Sequence, residues 1–304
     1  LMLVFVLTSF AVFSKNIKVI APTGASELTL IKQMKDNKLA DVNYEIFDSP
    51  DVLSSKIISG EADIAIIPSN LAANLYNKGI DYKFVGTSVW GVLYMVSSDN
   101  KIKTWKDLKG KEISTIGRGL TPDAILKYLL KSNGLDSNKD VKINYVNSTP
   151  ELAQLFLANK IETALISEPV LTNVLGKKKD GKIIFDIQKE WKKVTKLSIP
   201  QAVIVVKSSL IKENKKFVDN FISEYEKGIK WLISNPSEAG AYIETKGKGL
   251  TKEIIKNSIP RSNLKFKSAI DSKKEMEEYY KVLLDFEGKL VGGKLPNEDF
   301  YYKK

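Results

Sequence analysis

Residues 60–68 read GEADIAIIP, and residues 159–167, which lie 99 positions later, read NKIETALIS. Each stretch contains a run of small and branched apolar residues, which is the pattern of a strand buried on both faces of a parallel sheet. Asp63 and Glu162 occupy the same place before the two runs. The recurrence predicts that one structural unit is used twice in the chain.

The repeat continues toward the N-terminus, where a shift of 96 residues places Ile17 on Ile113 and Leu30 on Leu126. In each copy we predict a strand, a Gly-bearing loop, a helix, a strand, a helix, a buried strand, a loop and a helix. Alternating strands and helices predict mostly parallel sheets, which bind ligands outside the carboxyl ends of their strands. The predicted strands are residues 17–21, 42–47, 64–67, 112–116, 141–146 and 163–166, and the predicted helices are residues 26–36, 50–59, 122–133 and 150–159.

The repeat predicts an α/β protein with two similar Rossmann-like lobes and a ligand cleft between them. Two apolar strands, residues 92–96 and 202–206, are interpreted as a two-strand hinge. We therefore predict that lobe 1 comprises residues 15–93 and 205–304, and that lobe 2 comprises residues 94–204. The last hundred residues are predicted to be helical, with apolar stripes that pack into the core.

The composition limits the chemistry that this chain can carry. Its 304 residues, 43% of them apolar, can form a large core. The absence of His and Cys excludes a Ser-His-Asp triad, a thiol nucleophile, a disulfide and a His- or Cys-ligated zinc site. The net charge of +11 comes from lysines spread along the chain, which indicates a solvated surface. We expect no metal, no cofactor and no nucleic-acid partner.

The N-terminal segment has the pattern of an export signal. Residues 1–13 read LMLVFVLTSFAVF, an apolar run shorter than the roughly 20 residues that span a bilayer. We interpret residues 1–14 as a secretory signal peptide, with a buried N-terminal strand as the alternative. The signal peptide predicts an extracytoplasmic protein, in a periplasm or at a cell surface.

Three short stretches carry a resemblance to a known family. They are Gly60–Ala65 (GEADIA), Thr104–Lys111 (TWKDLKGK) and the Glu168-Pro169 pair. With these stretches the chain resembles the type II periplasmic-binding proteins, in the NMT1-like branch of nitrate-, taurine-, sulfonate- and thiamine-pyrimidine-binding proteins. The resemblance implies a monomer that captures a small molecule and delivers it to the permease and ATPase of an ABC importer. The chain has no P-loop, so it is not the ATPase itself.

Four loops are predicted to line the cleft, because each follows a strand and leads toward a helix. Helix N-termini present backbone N–H groups that favour acceptor groups, and glycines allow a ligand to approach closely. Glu27 and Asp123, in the first turns of two of these helices, would oppose a strongly anionic ligand. The predicted ligand-binding residues are Thr23, Gly24, Ala25, Ser69, Asn70, Trp90, Gly117, Arg118, Gly119, Thr121, Asn147 and Glu168.

Arg118 is the sharpest candidate among them. The chain has two arginines, Arg118 and Arg261, and Arg118 lies inside a Gly-x-Gly loop, where its planar fork could hold an acidic group. The alternative is a solvated side chain or a salt bridge with Glu168. Together, Arg118 and Glu168 would suit a zwitterion or a polar heterocycle. The resemblance places Trp90 at the cleft, where its indole could stack on a planar solute, with core packing as the alternative.

The sequence thus predicts a binding protein that closes on a small polar or planar solute, such as a sulfonate, taurine, nitrate or a pyrimidine, without changing it. An enzyme on the same fold, such as a menaquinone-pathway dehydratase, is the main alternative. A receptor or adhesin that reuses the fold is a third possibility. The sequence does not identify the solute.

Overall fold

The computed structural model of the chain describes residues 16–37, 39, 41–247 and 249–304. The predicted signal peptide, residues 1–14, lies outside the described residues. The strands are β1 (Ile17–Pro22), β2 (Val42–Phe47), β3 (Ile64–Pro68), β4 (Tyr82–Trp90), β5 (Leu93–Ser97), β6 (Glu112–Ile116), β7 (Lys142–Val146), β8 (Thr163–Ser167), β9 (Lys182–Asp186), β10 (Pro200–Lys207) and β11 (Leu264–Ser268).

Thirteen α-helices connect and cover these strands within the described residues. They are α1 (Ala25–Leu28), α2 (Ile31–Asp36), α3 (Pro50–Ile58), α4 (Ser69–Asn77), α5 (Thr121–Ser132), α6 (Thr149–Leu157), α7 (Val170–Lys177), α8 (Ile187–Thr195), α9 (Ser208–Glu213), α10 (Lys215–Ser234), α11 (Pro236–Glu244), α12 (Lys252–Ser258) and α13 (Lys273–Glu287). None of the described helices combines the length and the apolar character needed to cross a bilayer.

The strands form two sheets of related topology. Sheet A has the order β11-β4-β10-β3-β1-β2, and sheet B has the order β7-β6-β8-β5-β9. The parallel strands β2-β1-β3 of sheet A correspond to β7-β6-β8 of sheet B. Next to the third strand of each set runs an antiparallel strand, β10 in sheet A and β5 in sheet B. The predicted fold class, two similar α/β lobes, is confirmed.

Equivalent helices of the two copies begin in the same way. Ser49 accepts a hydrogen bond from the N–H of Val52 at the start of α3, and Ser148 accepts one from the N–H of Glu151 at the start of α6. Each helix also has a proline in its first two positions, where the missing N–H costs nothing. Local sequence therefore fixes where both helices start.

The chain passes between the sheets in two segments, and the second of them contains α8. Strand pairing moves from sheet A to sheet B between Trp90 and Leu93, and it returns between Asp186 and Pro200. The backbone N–H of Gly91 donates to the carbonyl of Ile199 at 3.0 Å, so the two segments are hydrogen-bonded to each other. The two strands predicted to cross the hinge each lie within one sheet, because β5 pairs with β8 and β9 while β10 pairs with β3 and β4. The predicted boundary at residue 204 falls inside β10, which pairs with sheet A from Pro200 onward.

Two predicted elements differ in detail from the structure. The helix predicted over residues 26–36 is divided into α1 and α2 at Thr29, whose hydroxyl donates to the carbonyl of Ser26 and accepts from the hydroxyl of Tyr225. The last part of the chain, predicted to be helical, also contains β11, which pairs with β4 at the edge of sheet A.

The largest apolar cluster extends across both lobes. Helix α13 packs on sheet A beside α4 and also contacts α5, which belongs to lobe 2. The rings of Trp191 and Tyr279 have centroids 5.8 Å apart, and those of Tyr128 and Trp191 are 5.0 Å apart. Buried aromatic pairs of this kind contribute about 0.5–1.5 kcal/mol beyond the area that they bury. The lobes are therefore joined by a shared core as well as by the chain crossings.

Candidate functional site

The ends of strands from both sheets meet around Gly91 and Val92. In sheet A, the last residue of β4, Trp90, lies opposite Pro200, and the last residue of β3, Pro68, lies opposite Ala202. In sheet B, Leu93 lies opposite Ser167 at the end of β8, and the N–H of Glu168 donates to the carbonyl of Val92 at 3.1 Å. The loops after β3 and β8, both predicted to bind the ligand, therefore lie on either side of one chain crossing.

Ser69 and Thr121, two predicted site residues from different lobes, both approach the hydroxyl of Tyr279. Burial raises the pKa of Tyr279, and hydrogen bonding with the side chains of Thr121 and Ser69 opposes that rise. The hydroxyl of Ser69 donates to the carbonyl of Pro200 at 2.5 Å, and its own carbonyl accepts from the hydroxyl of Tyr280 at 2.8 Å. Ser69 is thus a structural link between α4, β10 and α13.

The glycine loop before α5 is organised by Asp123. The N–H of Gly119 donates to Asp123 Oδ2 at 2.8 Å, the hydroxyl of Tyr145 donates to Oδ1 at 2.8 Å, and Lys127 donates to Oδ2 at 3.1 Å. The carboxylate of Asp123 is fully buried. The N-terminus of a helix favours a negative charge. At α5 the carboxylate of Asp123 provides that charge, in the place where an external anion would otherwise bind.

Arg118 lies at the surface of the same loop. Its guanidinium carbon is 4.8 Å from the centroid of the Tyr145 ring, which is the geometry of a cation–π contact. Gly117 and Gly119 have φ values of 70° and 69°, which a residue with a side chain adopts at a cost. The exposed position leaves Arg118 accessible to a solute, and its fork-like contact with an acidic group stays a prediction.

Glu168 has a different partner from the one weighed in the sequence analysis. Arg261, in the 3₁₀-helix Ile259–Arg261, places Nε 2.5 Å from Glu168 Oε1 and donates from Nη2 to the hydroxyl of Thr172 at 2.7 Å. Thr172 in turn donates to Glu168 from its N–H and its hydroxyl. Burial raises the pKa of the Glu168 carboxyl, and the guanidinium of Arg261 opposes that rise.

This ion pair connects the two lobes, since Glu168 follows β8 of sheet B while Arg261 precedes β11 of sheet A. A pairing of Glu168 with Arg118 is therefore replaced by a pairing with Arg261. Arg261 was not among the predicted site residues, although its rarity in a lysine-rich chain was the available signal. Helix α13 makes a further contact between the lobes, where Tyr279 packs against Trp191.

Trp90 lies in sheet A with 5% of its surface exposed. Its indole N–H donates to the carbonyl of Lys265 at 2.7 Å, and the ammonium of Lys267 is 5.1 Å from the ring centroid. Both contacts come from β11 and hold the ring beside the crossing. Its role as a stacking surface for a solute stays a prediction.

The remaining candidates lie at the start of α1, in α4 and after β7. The N–H of Thr23 donates to the carbonyl of Phe47, and the carbonyl of Gly24 accepts from the N–H of Leu28, so the backbone at both positions is engaged; Ala25 begins α1. Asn70 is half-buried in α4, and Asn147 is exposed, with its N–H donating to Glu151. No cluster of metal-ligating side chains occurs in the described part of the chain.

Comparisons with known proteins relate most of the chain to one group. The sequence profile of the NMT1/THI5-like family matches residues 41–239. A comparison with curated proteins gives no match. Among solved structures, an ABC transporter from Parabacteroides distasonis is 28% identical, with 95% of this chain and 99% of that chain covered and a TM-score of 0.79.

Two more distant structures share the fold. The periplasmic aliphatic sulphonate-binding protein SsuA from Escherichia coli is 15% identical, covers 94% of this chain and 92% of its own, and has a TM-score of 0.77. The periplasmic nitrate-binding protein NrtA from Synechocystis is 13% identical, covers 93% of this chain and 82% of its own, and has a TM-score of 0.65.

Proposed function

The chain belongs to the NMT1/THI5-like family, and we propose that it is the extracytoplasmic substrate-binding protein of an ABC importer. It captures a small polar or planar solute and presents it to a permease and ATPase without changing it. The similarity to an ABC transporter protein over nearly the full length of both chains supports this role. The single structural observation that carries the proposal is the meeting of strand ends from both sheets at one crossing.

The mechanism follows from this arrangement. A solute that touches the loop of Ser69 and the loop of Thr121 makes its full set of contacts when the lobes approach, so it shifts the population toward the closed form. Micromolar affinity requires about 8 kcal/mol of net binding free energy. The two buried carboxylates, Asp123 in the first turn of α5 and Glu168 after β8, are held in internal contacts by Lys127 and Arg261 respectively. They therefore serve structure rather than acid–base chemistry.

The proposal is tested with the protein purified under native conditions. Mass spectrometry of the intact complex is expected to detect a small molecule bound one to one and released with its mass unchanged. Small-angle scattering is expected to give a smaller radius of gyration with the solute than without it. A solute that is converted to a product, or a protein that neither binds nor closes on any solute, would contradict the role.

The contribution of Arg118 is measured in the same preparation by titration calorimetry with the solute so identified. R118A is expected to weaken binding tenfold or more, and R118K to recover part of the loss, because lysine keeps the charge but not the planar fork. Lys139, an exposed residue distant in sequence from the loop, provides the matched control K139A. Equal affinities for R118A and the wild type would remove Arg118 from the site.

A further inference from the structure

Gln201 occupies an irregular position at the crossing between the sheets. On β10, Pro200 lies opposite Trp90 and Ala202 lies opposite Val89, so two steps along β10 correspond to one step along β4. Gln201 is the extra residue of this β-bulge. Bulges bend a strand and redirect a side chain, and they are frequent beside functional sites.

The side-chain carbonyl of Gln201 is a buried acceptor that receives no hydrogen bond from the described residues. The neighbouring polar groups are engaged: the carbonyl of Pro200 accepts from Ser69, the N–H of Ile199 donates to Gln188, and the carbonyl of Ile199 accepts from Gly91. A buried amide oxygen without a donor is unfavourable, because it has lost its hydrogen bond to water without gaining another. A solute N–H placed against Gln201 Oε1 would supply the missing hydrogen bond.

The surrounding charges point to the same chemistry. At the start of α5, the N–H of Gly119 already donates to the buried carboxylate of Asp123. At the equivalent place in the other copy, Glu27 is buried in the first turn of α1. The cation Arg261 is paired with Glu168. A ligand that offers acceptors alone therefore meets two buried carboxylates, while the N–H of Gly119 and the guanidinium of Arg261 already donate to internal acceptors.

We infer that Gln201 Oε1 is a specificity-determining acceptor for the solute, and that the solute carries at least one N–H group. This inference rests on the proposed function, and it narrows the ligand to amines, zwitterions and amino-bearing heterocycles. Nitrate and simple alkanesulfonates, which carry no donor, fall outside this class. Arg118 would then face the acidic or acceptor end of the solute, and Gln201 its N–H end.

The test uses matched probes that differ in their donors. Titration calorimetry compares taurine with ethanesulfonate, and 4-aminopyrimidine with 4-methylpyrimidine, while mass spectrometry gives the formula of any copurified solute. The wild type is expected to bind the N–H-bearing member of a pair at least tenfold more tightly than the donor-free member. Any copurified solute is expected to contain an N–H group. Tighter binding of ethanesulfonate, or a copurified solute without N–H, overturns the inference and leaves the proposed function intact.

Three variants test whether Gln201 Oε1 causes the preference for ligands with an N–H group. Q201M, which removes the acceptor at similar volume, is expected to weaken binding of the N–H-bearing ligand at least tenfold. Q201E keeps the acceptor and removes the amide donor, so its dissociation constant is expected to stay within about threefold of that of the wild type. For scale, a tenfold change in the dissociation constant corresponds to about 1.4 kcal/mol. Q154M, at an exposed glutamine of α6, is the matched control.

The results separate the two proposals. Urea unfolding midpoints establish that each variant is folded. An unchanged affinity in Q201M, or a loss in Q201E equal to that in Q201M, overturns the role of Oε1 while binding by the wild type sustains the importer role. If the wild type neither binds a probe nor retains a solute, the importer role and the inference both fail.

Discussion

Replacing Arg261 with methionine should destabilise the protein by leaving a buried carboxylate without its cation. The side chain of Glu168 is 0% exposed, whereas that of Arg261 is 32% exposed, and the two are joined at 2.5 Å. Removing one partner of a buried ion pair typically costs 3–5 kcal/mol. Two features reduce this cost: Thr172 continues to donate to the carboxylate in the variant, and solvent already screens part of Arg261. We therefore expect R261M to lower the free energy of unfolding by about 2–3 kcal/mol at pH 7.5.

The loss should depend on pH in a defined direction. Burial already raises the pKa of Glu168 above its ordinary value of 4.5 while Arg261 opposes the rise, so removing Arg261 raises this pKa further. A carboxyl with a raised pKa in the folded state binds its proton more tightly there than in the unfolded chain. Stability is therefore present at low pH and falls as the pH rises through the folded-state pKa. The cost of R261M should be smaller at pH 5 than at pH 7.5.

Urea denaturation at the two pH values measures this difference. The double variant E168Q/R261M, in which the carboxylate is neutral, should recover part of the stability that R261M loses at pH 7.5. An equal loss at both pH values, or a double variant whose loss is the sum of the two single losses, would refute the assignment of the cost to an unpaired Glu168.

Three further substitutions, and G110A as a control, test other parts of the structure by urea denaturation. G91A should lower the free energy of unfolding by about 2–3 kcal/mol, because φ is +35° and a Cβ would lie 2.5 Å from Gln188 Oε1. G110A is the control, since Gly110 has a positive φ but open space around it, and it should cost about 1 kcal/mol. D123N should cost about 2 kcal/mol, since a buried carboxylate that accepts three hydrogen bonds becomes an amide. Y279F should cost about 1 kcal/mol, because it removes the hydroxyl between the lobes.

Each of these variants has an outcome that would contradict its reasoning. Equal losses for G91A and G110A would show that the contact with Gln188 adds nothing to backbone strain. A neutral D123N would mean that the glycine loop does not depend on the carboxylate. A Y279F variant as stable as the wild type would remove the hydroxyl as a link between the lobes.

Local patterns predicted the parallel strands because their signal lies within a few residues. The run Ile64–Ile67 is fully buried as β3, in agreement with its continuous apolar character, and the helix starts at Ser49 and Ser148 follow from adjacent residues. Strand β11 was missed because its sequence, LKFKS, is short and rich in lysine, and its pairing with β4 is decided by tertiary contacts.

The candidate site was harder to predict, because its contacts join distant residues. Arg261 and Glu168 are 93 positions apart, and no local pattern links them. Gln201 was not predicted as a site residue, since a bulge depends on the register of the neighbouring strand. Tyr279 lies on a helix whose apolar stripe was assigned to ordinary packing. Local patterns therefore predicted candidate loops but not the side chains that hold them in place.

The apolar cluster shared by α13, α5 and α8 has a consequence for thermal melting. With Trp191 in contact with Tyr279 across the lobes, neither half can lose its packing without exposing the other. Heat should therefore produce one calorimetric peak, with a van't Hoff enthalpy that approaches the measured enthalpy, although the chain contains two sheets. W191A should uncouple the halves and broaden that peak or split it in two.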